Sequence, residues 1–343
     1  MRLSSNNLSQ VRNFSNLLME IEKKYRNLGN TDLLLSPIGL GTWQFSKRKN
    51  LIGKFWPELS DSDSFDIVRS SYENGVNWFD TAELYGNGES ERTLVRALKD
   101  AGIKDANVAI ATKWSPFFRT AGSILKTFDA REKDLDGYTI SLHQIHSPNS
   151  FSSIKKEMEA MATLADQQKI KYVGVSNFSA KQMRNAYQEL DRRGYVLASN
   201  QVKYNLIERK IEFNETMKVA KELGIAIIAY SPLAQGLLTG KYHDNPESIR
   251  SEKGVRKLKS SFKQKGLEKS RPLVDLLRSI AQKHGVTPAQ VALNWVLSFH
   301  GKHVFAIPGA RNAEQAKSNA VAMKIELSQD EMNKLDEVSQ SAG

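Results

Sequence analysis

Short apolar runs alternate with helical patterns along most of the chain, and this alternation limits the possible folds more than any other feature. Strands separated by helices indicate βαβ units and a parallel sheet covered on both faces. Counting a weaker run at Leu197–Val202, about eight repeats are present, which favours a closed barrel over an open sheet. We predict an α/β fold with a single (β/α)8 barrel over residues 25–343 and a flexible N-terminal extension at 1–24. The other runs are Ile38–Thr42, Val76–Phe79, Val108–Thr112, Tyr138–Ile145, Tyr172–Val175, Ile225–Tyr230 and Val304–Ile307.

Polar residues follow the ends of most of these runs. The carboxyl ends of barrel strands meet at one face, where barrels of this kind assemble active sites. The sequence therefore predicts a site built from several strand ends at the barrel mouth. The residues concerned are Asp80, Lys113, His146, Ser176, Asn177, Asn200, Gln201 and Ser231.

Composition excludes several kinds of site. The chain has no cysteine, and its six histidines form no metal-type pair such as H-E-x-x-H, so we expect no metal. Apolar runs stay well short of the roughly 18 residues that a membrane helix needs, so no membrane partner is expected. A cytoplasmic location fits the absence of cysteine, although Arg2 and Arg12 with no acid before Glu20 also resemble an organellar targeting segment.

The net charge of +11 is concentrated in residues 250–271, which hold nine Lys/Arg and two Glu. Such a run can bind nucleic acid, a membrane surface or an anionic ligand, or it can be a solvated loop. Only Phe262 interrupts its polar centre, so the stacking surface of a single-strand binder is missing. We predict a solvated, mobile loop and no nucleic-acid partner.

Two glycine-containing segments look like phosphate-binding motifs but fail in detail. The segment 236–242 has three residues between its glycines where a Walker loop has four, and Tyr242 stands at the Ser/Thr position. The segment 39–44 begins like a dinucleotide fingerprint but lacks the third glycine. A Rossmann domain is therefore not predicted.

Seven motifs in order resemble the aldo-keto reductase superfamily, over roughly residues 25–325. The resemblance is closest to the general bacterial and plant enzymes and to the potassium-channel β subunits. It implies a (β/α)8 barrel that reduces carbonyl compounds with NADPH. The motifs are Asn77–Gly86, Ala111–Trp114, Gln144–Pro148, Gly174–Phe178, Asn200–Asn205, Tyr230–Gly236 and Ile307–Ala310.

The resemblance implies a catalytic tetrad of Asp80, Tyr85, Lys113 and His146. Tyr85 would donate a proton to the reduced carbonyl oxygen, and the Lys113 ammonium would lower the tyrosine pKa. Asp80 would hold Lys113 charged, and His146 would orient the substrate oxygen. Alone, each residue also has an ordinary structural explanation, such as helix capping for Asp80. His143 lies three residues from His146 on one predicted strand, so we expect it to face the helical layer.

The resemblance also implies which residues bind the cofactor. Ser176, Asn177 and Gln201 would hold the nicotinamide amide, and Tyr204 would stack on its ring. The stretch at 231–241 would cover the pyrophosphate, and a helix face after Pro308 would meet the adenosine half. The full predicted set is Gly41, Thr42, Trp43, Ser176, Asn177, Gln201, Tyr204, Ser231, Pro232, Leu233, Gln235, Gly236, Leu238, Lys241, Ile307, Gly309, Ala310, Arg311, Gln315 and Asn319.

Arg311, Gln315 and Asn319 are spaced by four, which predicts one helix face. A cation at Arg311 favours the 2′-phosphate of NADPH, while Asn312 leaves NADH use possible. We also expect residues 243–271 to fold over the cofactor.

An alternative to the enzyme is a cofactor-binding sensor module that resembles a potassium-channel β subunit. Fast turnover would favour the enzyme. Both a monomer and a homo-oligomer are compatible with the sequence.

Overall fold

The computed structural model describes residues 25–47, 59–251 and 259–342. The extension predicted at 1–24 and the centre of the basic segment, at 252–258, lie outside the described residues. Within the described ranges, no helix combines the length and the apolar composition needed to cross a membrane.

Eight parallel strands form one sheet in which each strand pairs with the next along the chain. The predicted (β/α)8 fold is confirmed, with the strands close to the predicted apolar runs. The strands are β3 (Leu40–Gly41), β4 (Trp78–Asp80), β5 (Ala109–Trp114), β6 (Ile140–Ile145), β7 (Ile170–Ser176), β8 (Leu197–Lys203), β9 (Ala226–Tyr230) and β10 (Val304–Ala306).

Backbone hydrogen bonds close this sheet on itself. A parallel bridge joins Ile38, just before β3, to Ala306 at the end of β10. Gly39 N donates to Ala306 O at 2.9 Å, and Ala306 N donates to Pro37 O at 3.0 Å. The first and last strands of the sheet are therefore neighbours, as a barrel requires.

Helices cover the outside of the barrel, so the strands are buried on both faces. Every residue of β4, β5 and β6 is buried. The helices are α1 (Asp61–Glu73), α2 (Glu89–Asp100), α3 (Gly122–Lys126), α4 (Phe128–Leu135), α5 (Ile154–Asp166), α6 (Ala180–Asp191), α7 (Lys210–Phe213), α8 (Thr216–Leu223), α9 (Lys241–Asp244), α10 (Ser248–Ser251), α11 (Gln264–His284), α12 (Pro288–Ser298), α13 (Ala313–Val321) and α14 (Gln329–Ala342).

Local sequence explains where several of these helices begin. Capping boxes form where Ser or Thr is followed three residues later by Gln: Ser179 with Gln182 starts α6, and Thr287 with Gln290 starts α12. Each cap satisfies two backbone amides that the first helical turn leaves without partners. Pro288 occupies the first position of α12, where a missing N–H costs nothing.

A short hairpin covers the end of the barrel opposite the mouth. Its strands are β1 (Arg26–Asn27) and β2 (Leu34–Leu35), which pair antiparallel. Leu28 in the hairpin is fully buried, and Asn30 N donates to Gly224 O just before β9. The hairpin therefore forms a floor under the amino ends of the strands.

Candidate active site

The four residues of the predicted tetrad meet at the barrel mouth. Asp80 is the last residue of β4, Lys113 lies near the end of β5, and His146 directly follows β6. Tyr85 lies in the loop between β4 and α2. Three neighbouring strand ends and one loop thus bring together the carboxylate of Asp80, the amine of Lys113, the phenol of Tyr85 and the imidazole of His146.

A buried ion pair forms the base of this group. Lys113 Nζ donates to Asp80 Oδ1 at 2.5 Å and to the Thr81 carbonyl at 2.8 Å. The side chains of Lys113 and Asp80 are 0% and 2% exposed. Burial alone would lower the pKa of Lys113, but Asp80 and Tyr85 outweigh it and keep that pKa above its usual value. The lysine therefore stays an ammonium.

Tyr85 lies directly over this ion pair, at the edge of a cavity. Lys113 Nζ is 5.1 Å from the centre of the Tyr85 ring, and the ring also contacts His146 and Trp43. Burial raises the pKa of Tyr85, and the Lys113 ammonium lowers it by less, so the net direction is upward. The expected lowering by Lys113 is therefore present but smaller than the effect of burial. Tyr85 keeps its proton at neutral pH.

The two histidines of β6 and its end separate as predicted. His146 faces Tyr85 with ring centres 5.6 Å apart, while His143 packs against Phe128 of α4 on the outer side of the sheet. Burial, and then the nearby Lys113, lowers the pKa of His146 to about 3. The imidazole is therefore neutral across the physiological range and has one N–H to donate.

Amide and hydroxyl groups line the wall beside the tetrad. Gln201 Nε2 donates to Asp80 Oδ2 at 2.8 Å, and Gln144 Nε2 reaches the same oxygen at 3.3 Å. Asn177 Nδ2 donates to Ser176 Oγ at 3.0 Å. Since Gln201 Nε2 is used by Asp80, its carbonyl oxygen is the group left to face a ligand amide.

A loop of unusual backbone conformation borders the next part of the cavity. Four residues of this loop have positive φ angles, which range from 48° to 95°: Ser231, Ala234, Gln235 and Gly236. Gly236 has no side chain, so a ligand can approach the backbone closely at that point of the cavity wall. From the opposite side, Lys259 Nζ donates to Gln235 Oε1 at 2.9 Å.

The far end of the cavity lies at the start of α13. Asn312 caps this helix, and its side chain accepts from Gln315 N. Arg311 therefore precedes the helix, and only Gln315 and Asn319 share a helical face, which modifies the prediction of one face for all three. Arg311 still contacts this helix, because Arg311 N donates to Gln315 Oε1 at 3.0 Å.

One cavity of about 900 Å³ connects all of these parts. Most of the predicted residues line it, and the structure adds lining residues that sequence reasoning missed. The predicted residues that line it are Gly41, Thr42, Trp43, Asp80, Tyr85, His146, Ser176, Asn177, Gln201, Ser231, Pro232, Leu233, Gln235, Gly236, Lys241, Ile307, Gly309, Arg311, Gln315 and Asn319. The added ones are Gln44, Leu84, Lys203, Tyr230, Thr239, Lys259, Ala289, Pro308 and Ser318.

Tyr204 does not line the cavity, which corrects its predicted role. It is 0% exposed and packs against Trp295 on the outer side of the barrel. Its hydroxyl donates to Glu212 Oε1 at 2.5 Å. Tyr230 does line the cavity, together with Tyr85, and its hydroxyl donates to Asn177 Oδ1 at 3.1 Å.

Leu238 and Ala310 also lie away from the cavity surface. Both side chains are buried in the main hydrophobic core, which also contains Leu273 and Leu277 of α11. Each residue is next to cavity-lining residues in sequence, but its own side chain packs in the hydrophobic core and does not line the cavity.

Comparison with known proteins agrees with this geometry. The model of the aldo/keto reductase family matches residues 37–340. An uncharacterized oxidoreductase of Mycobacterium tuberculosis is 39% identical over 296 residues, which are 86% of each chain. The chloroplastic pyridoxal reductase of Arabidopsis thaliana is 32% identical over 346 residues, covering 97% of this chain and 91% of the relative.

Solved structures give the same result. The glycerol dehydrogenase from Gluconobacter oxydans is 28% identical, with a TM-score of 0.78 over 92% of this chain and 95% of that one. A thermostable aldo-keto reductase crystallised with the inhibitor epalrestat is 28% identical, with a TM-score of 0.73 over 92% of this chain and 99% of that one. Fold, family match and relatives agree, and the chain is an oxidoreductase that belongs to the aldo/keto reductase family.

Proposed function

We propose that the protein reduces aldehydes and ketones to alcohols with NADPH, using Tyr85 as the proton donor. One observation carries this proposal. The half-buried Tyr85 and the neutral His146 border the same part of the cavity, directly above the buried Lys113–Asp80 ion pair. A carbonyl oxygen placed between the phenol and the imidazole would meet two hydrogen-bond donors.

Proton transfer is the step that these side chains perform. When bound, a reduced nicotinamide supplies a hydride to the carbonyl carbon. The carbonyl oxygen then takes the proton of the Tyr85 hydroxyl, so that an alcohol forms and a phenolate remains. The Lys113 ammonium stabilises this phenolate, and Asp80 keeps the lysine charged. Solvent protons restore the phenol after the alcohol leaves.

The lining of the cavity suits a nicotinamide dinucleotide. Ser176, Asn177 and the free carbonyl oxygen of Gln201 supply the donors and acceptors that a carboxamide needs. Tyr230 lies beside them and replaces Tyr204 as the ring proposed to stack on the nicotinamide. The backbone of the 231–236 loop would approach the pyrophosphate.

The far end of the cavity supports NADPH over NADH. Arg311 is next to Gln315 at the start of α13 and lines the cavity. An arginine there can bind a 2′-phosphate through two parallel N–H groups. NADH lacks that phosphate and would make no such contact, so we propose NADPH as the preferred cofactor.

The name of one relative suggests a first substrate to try. Pyridoxal, the substrate in the name of the Arabidopsis relative, carries an aldehyde on an aromatic ring. Trp43 stacks beside Tyr85 with ring centres 6.2 Å apart, so an aromatic wall lies next to the proposed proton donor. Pyridoxal therefore belongs in the substrate panel.

The test compares the wild type with Tyr85→Phe on aldehydes, ketones, quinones and pyridoxal, following NADPH absorbance. Since a positioned acid contributes about 10²- to 10⁴-fold, we expect Tyr85→Phe to lower kcat roughly 10³-fold. Cofactor binding, measured by fluorescence titration, should remain unchanged. A wild type that binds NADPH tightly but reduces nothing would contradict the enzyme and favour a cofactor sensor.

A further inference from the structure

Ser90 is a fully buried serine on the second residue of α2, on the outer side of the strands that carry the tetrad. Its position is unusual for a polar side chain. Leu94 and Ala97 follow it at spacings of four and seven and are also fully buried, so Ser90 lies on the face of α2 that packs against the barrel. A buried hydroxyl on such a face needs hydrogen-bond partners.

The Ser90 hydroxyl has partners on two neighbouring strand ends. Ser90 Oγ donates to the Thr42 carbonyl at 2.8 Å, and Thr81 Oγ1 donates to Ser90 Oγ at 2.9 Å. Thr42 Oγ1 lies 2.9 Å from Ser90 Oγ and donates to the Asp80 carbonyl at 2.9 Å. Each hydroxyl has one proton, and these three bonds use all three protons. The end of β3 and the end of β4 are therefore joined through Ser90.

One of the two residues that Ser90 joins, Thr81, also holds the lysine of the tetrad, and the other, Thr42, is bonded to Asp80. The Thr81 carbonyl accepts from Lys113 Nζ at 2.8 Å, beside the 2.5 Å bond from Lys113 to Asp80. Thr42 N donates to the Asp80 carbonyl at 2.9 Å. Moving the backbone at 80–81 would therefore move both acceptors of the lysine at once.

The next residue of the same helical turn contacts the third strand end. Glu91 is fully buried, accepts from Thr112 Oγ1 at 2.5 Å and pairs with Arg131 of α4. Thr112 immediately precedes Lys113 on β5. The first turn of α2 thus contacts the ends of β3, β4 and β5.

We propose that Ser90 is a positioning residue for carbonyl reduction: its hydroxyl joins the ends of β3 and β4 and so keeps both acceptors of Lys113 in place. This inference rests on the proposed function. Without the hydroxyl, Thr81 Oγ1 loses its acceptor and the Thr42 carbonyl loses its donor. Thr42 and Thr81 are then no longer bonded to the first turn of α2, so the backbone at 80–81 can shift, and the lysine no longer stands at a fixed distance from Tyr85.

The experiment uses Ser90→Ala, with Ser90→Thr as the variant that keeps the hydroxyl. Ser71→Ala is the matched control, because Ser71 is also buried but its hydroxyl donates only within α1, to Ile67 O. Melting temperature, kcat, KM and the isotope effect with cofactor deuterated at the transferred position are measured for each. A catalytic group that is displaced by about 1 Å costs at least about tenfold in rate.

We expect Ser90→Ala to lower kcat at least about tenfold with little change in KM, and to raise the isotope effect because the chemical step becomes slower. The pH profile of kcat should also shift, since Lys113 controls the titration of Tyr85. Ser90→Thr should retain most of the activity. Ser71→Ala should lower the melting temperature without changing kcat, isotope effect or pH profile per folded molecule.

Thr81→Val covers the case in which Ser90→Ala does not fold. It removes one of the three hydroxyl bonds and keeps the Thr81 carbonyl, so a smaller change of the same sign is expected in kcat and the isotope effect. An active wild type whose Ser90→Ala or Thr81→Val variants keep the wild-type kcat and isotope effect per folded molecule overturns the inference alone. A wild type that reduces no carbonyl overturns the proposed function, and the inference falls with it.

Discussion

The two ends of the cavity are built in different ways. At the tetrad end, buried side chains contact one another directly: Lys113, Asp80 and Gln201 form a connected set with exposures of 3% or less. At the far end, the polar groups belong to a loop of positive-φ residues and to partly exposed side chains such as Arg311. The atoms proposed to exchange protons are thus held by the barrel, and the groups proposed to bind phosphates are held by the loops between its strands and helices.

This difference has a physical reason. Proton transfer requires heavy atoms within about 3 Å and in line, so its partners must be fixed by packing. Binding a phosphate depends on charge, which acts over several ångströms and tolerates movement. We therefore expect substitutions at the tetrad end to change kcat and those at the far end to change cofactor affinity.

The largest effect is expected when the buried ion pair is broken by removing its lysine. Lys113→Met should lower kcat roughly 10³-fold, because Tyr85 loses the cation that stabilises its phenolate. It should also lower the free energy of unfolding by about 3 kcal/mol, because Asp80 remains as a buried charge without a partner. Steady-state kinetics and chemical denaturation measure both quantities.

The double variant Asp80→Asn/Lys113→Met separates the two roles. With both charges gone, most of the lost stability should return, since a buried pair contributes little net stability. Activity should stay low. If activity returned together with stability, the ion pair would contribute only to the stability of the fold. The tetrad end would then not be the part of the cavity that controls kcat.

A second effect concerns the titration of His143, which packs between β6 and α4 behind the tetrad end. Burial, and then Arg131, lowers the pKa of His143 from 6.5 to about 3 in the folded protein. The unfolded chain therefore binds an extra proton below about pH 6.5, and folding is weakened as pH falls from there toward pH 3. Between about pH 7 and about pH 5, His143 should cost the wild type about 2 kcal/mol.

His143→Gln tests this contribution because glutamine does not titrate. Its free energy of unfolding should fall less between these two pH values than that of the wild type, when both are measured by urea denaturation. His146 has the same pKa shift and keeps its own acid dependence in both proteins. Equal pH dependence in the two proteins would mean that His143 is not neutral and buried as described.

The smallest effect is expected at the far end of the cavity. Arg311→Ala should weaken NADPH binding roughly tenfold and leave NADH binding and kcat nearly unchanged. Lys317→Ala is the control, because Lys317 is an exposed cation on α13 that does not line the cavity. Arg311 would not recognise the 2′-phosphate if Arg311→Ala weakened NADPH and NADH binding equally. The same would follow if Lys317→Ala weakened NADPH binding as much as Arg311→Ala does.

Much of the tetrad end could be predicted because strand periodicity carries the information. Asp80, Lys113 and His146 were placed by their positions at strand ends, and alternation separated His146 from His143. The same rule, applied to Gln201 and Tyr204, would have placed Tyr204 on the outer face. The resemblance to family motifs assigned to Tyr204 a role that its outward direction, just after the end of β8, does not allow.

Residues that act through packing between elements were not predictable from local patterns. Ser90 depends on how α2 lies against β3 and β4. The sequence predicts that residues 243–271 fold over the cofactor, but no local pattern indicates that Lys259 is the residue of that segment that lines the cavity. A weak signal for Ser90 exists, because a serine occupies the apolar stripe shared with Leu94 and Ala97. Only the folded arrangement shows what that serine contacts.

The hairpin floor has a consequence for the order of events in a reaction cycle. With Leu28 sealing the amino end of the barrel, both reactants of the proposed function must pass through the same mouth. Ser176 and Gln201, two of the residues proposed to bind the nicotinamide, are buried, with exposures of 1% and 3%. If the proposed function holds, we expect the cofactor to bind first and to leave last. Bound substrate or alcohol would then slow the exchange of oxidised for reduced cofactor.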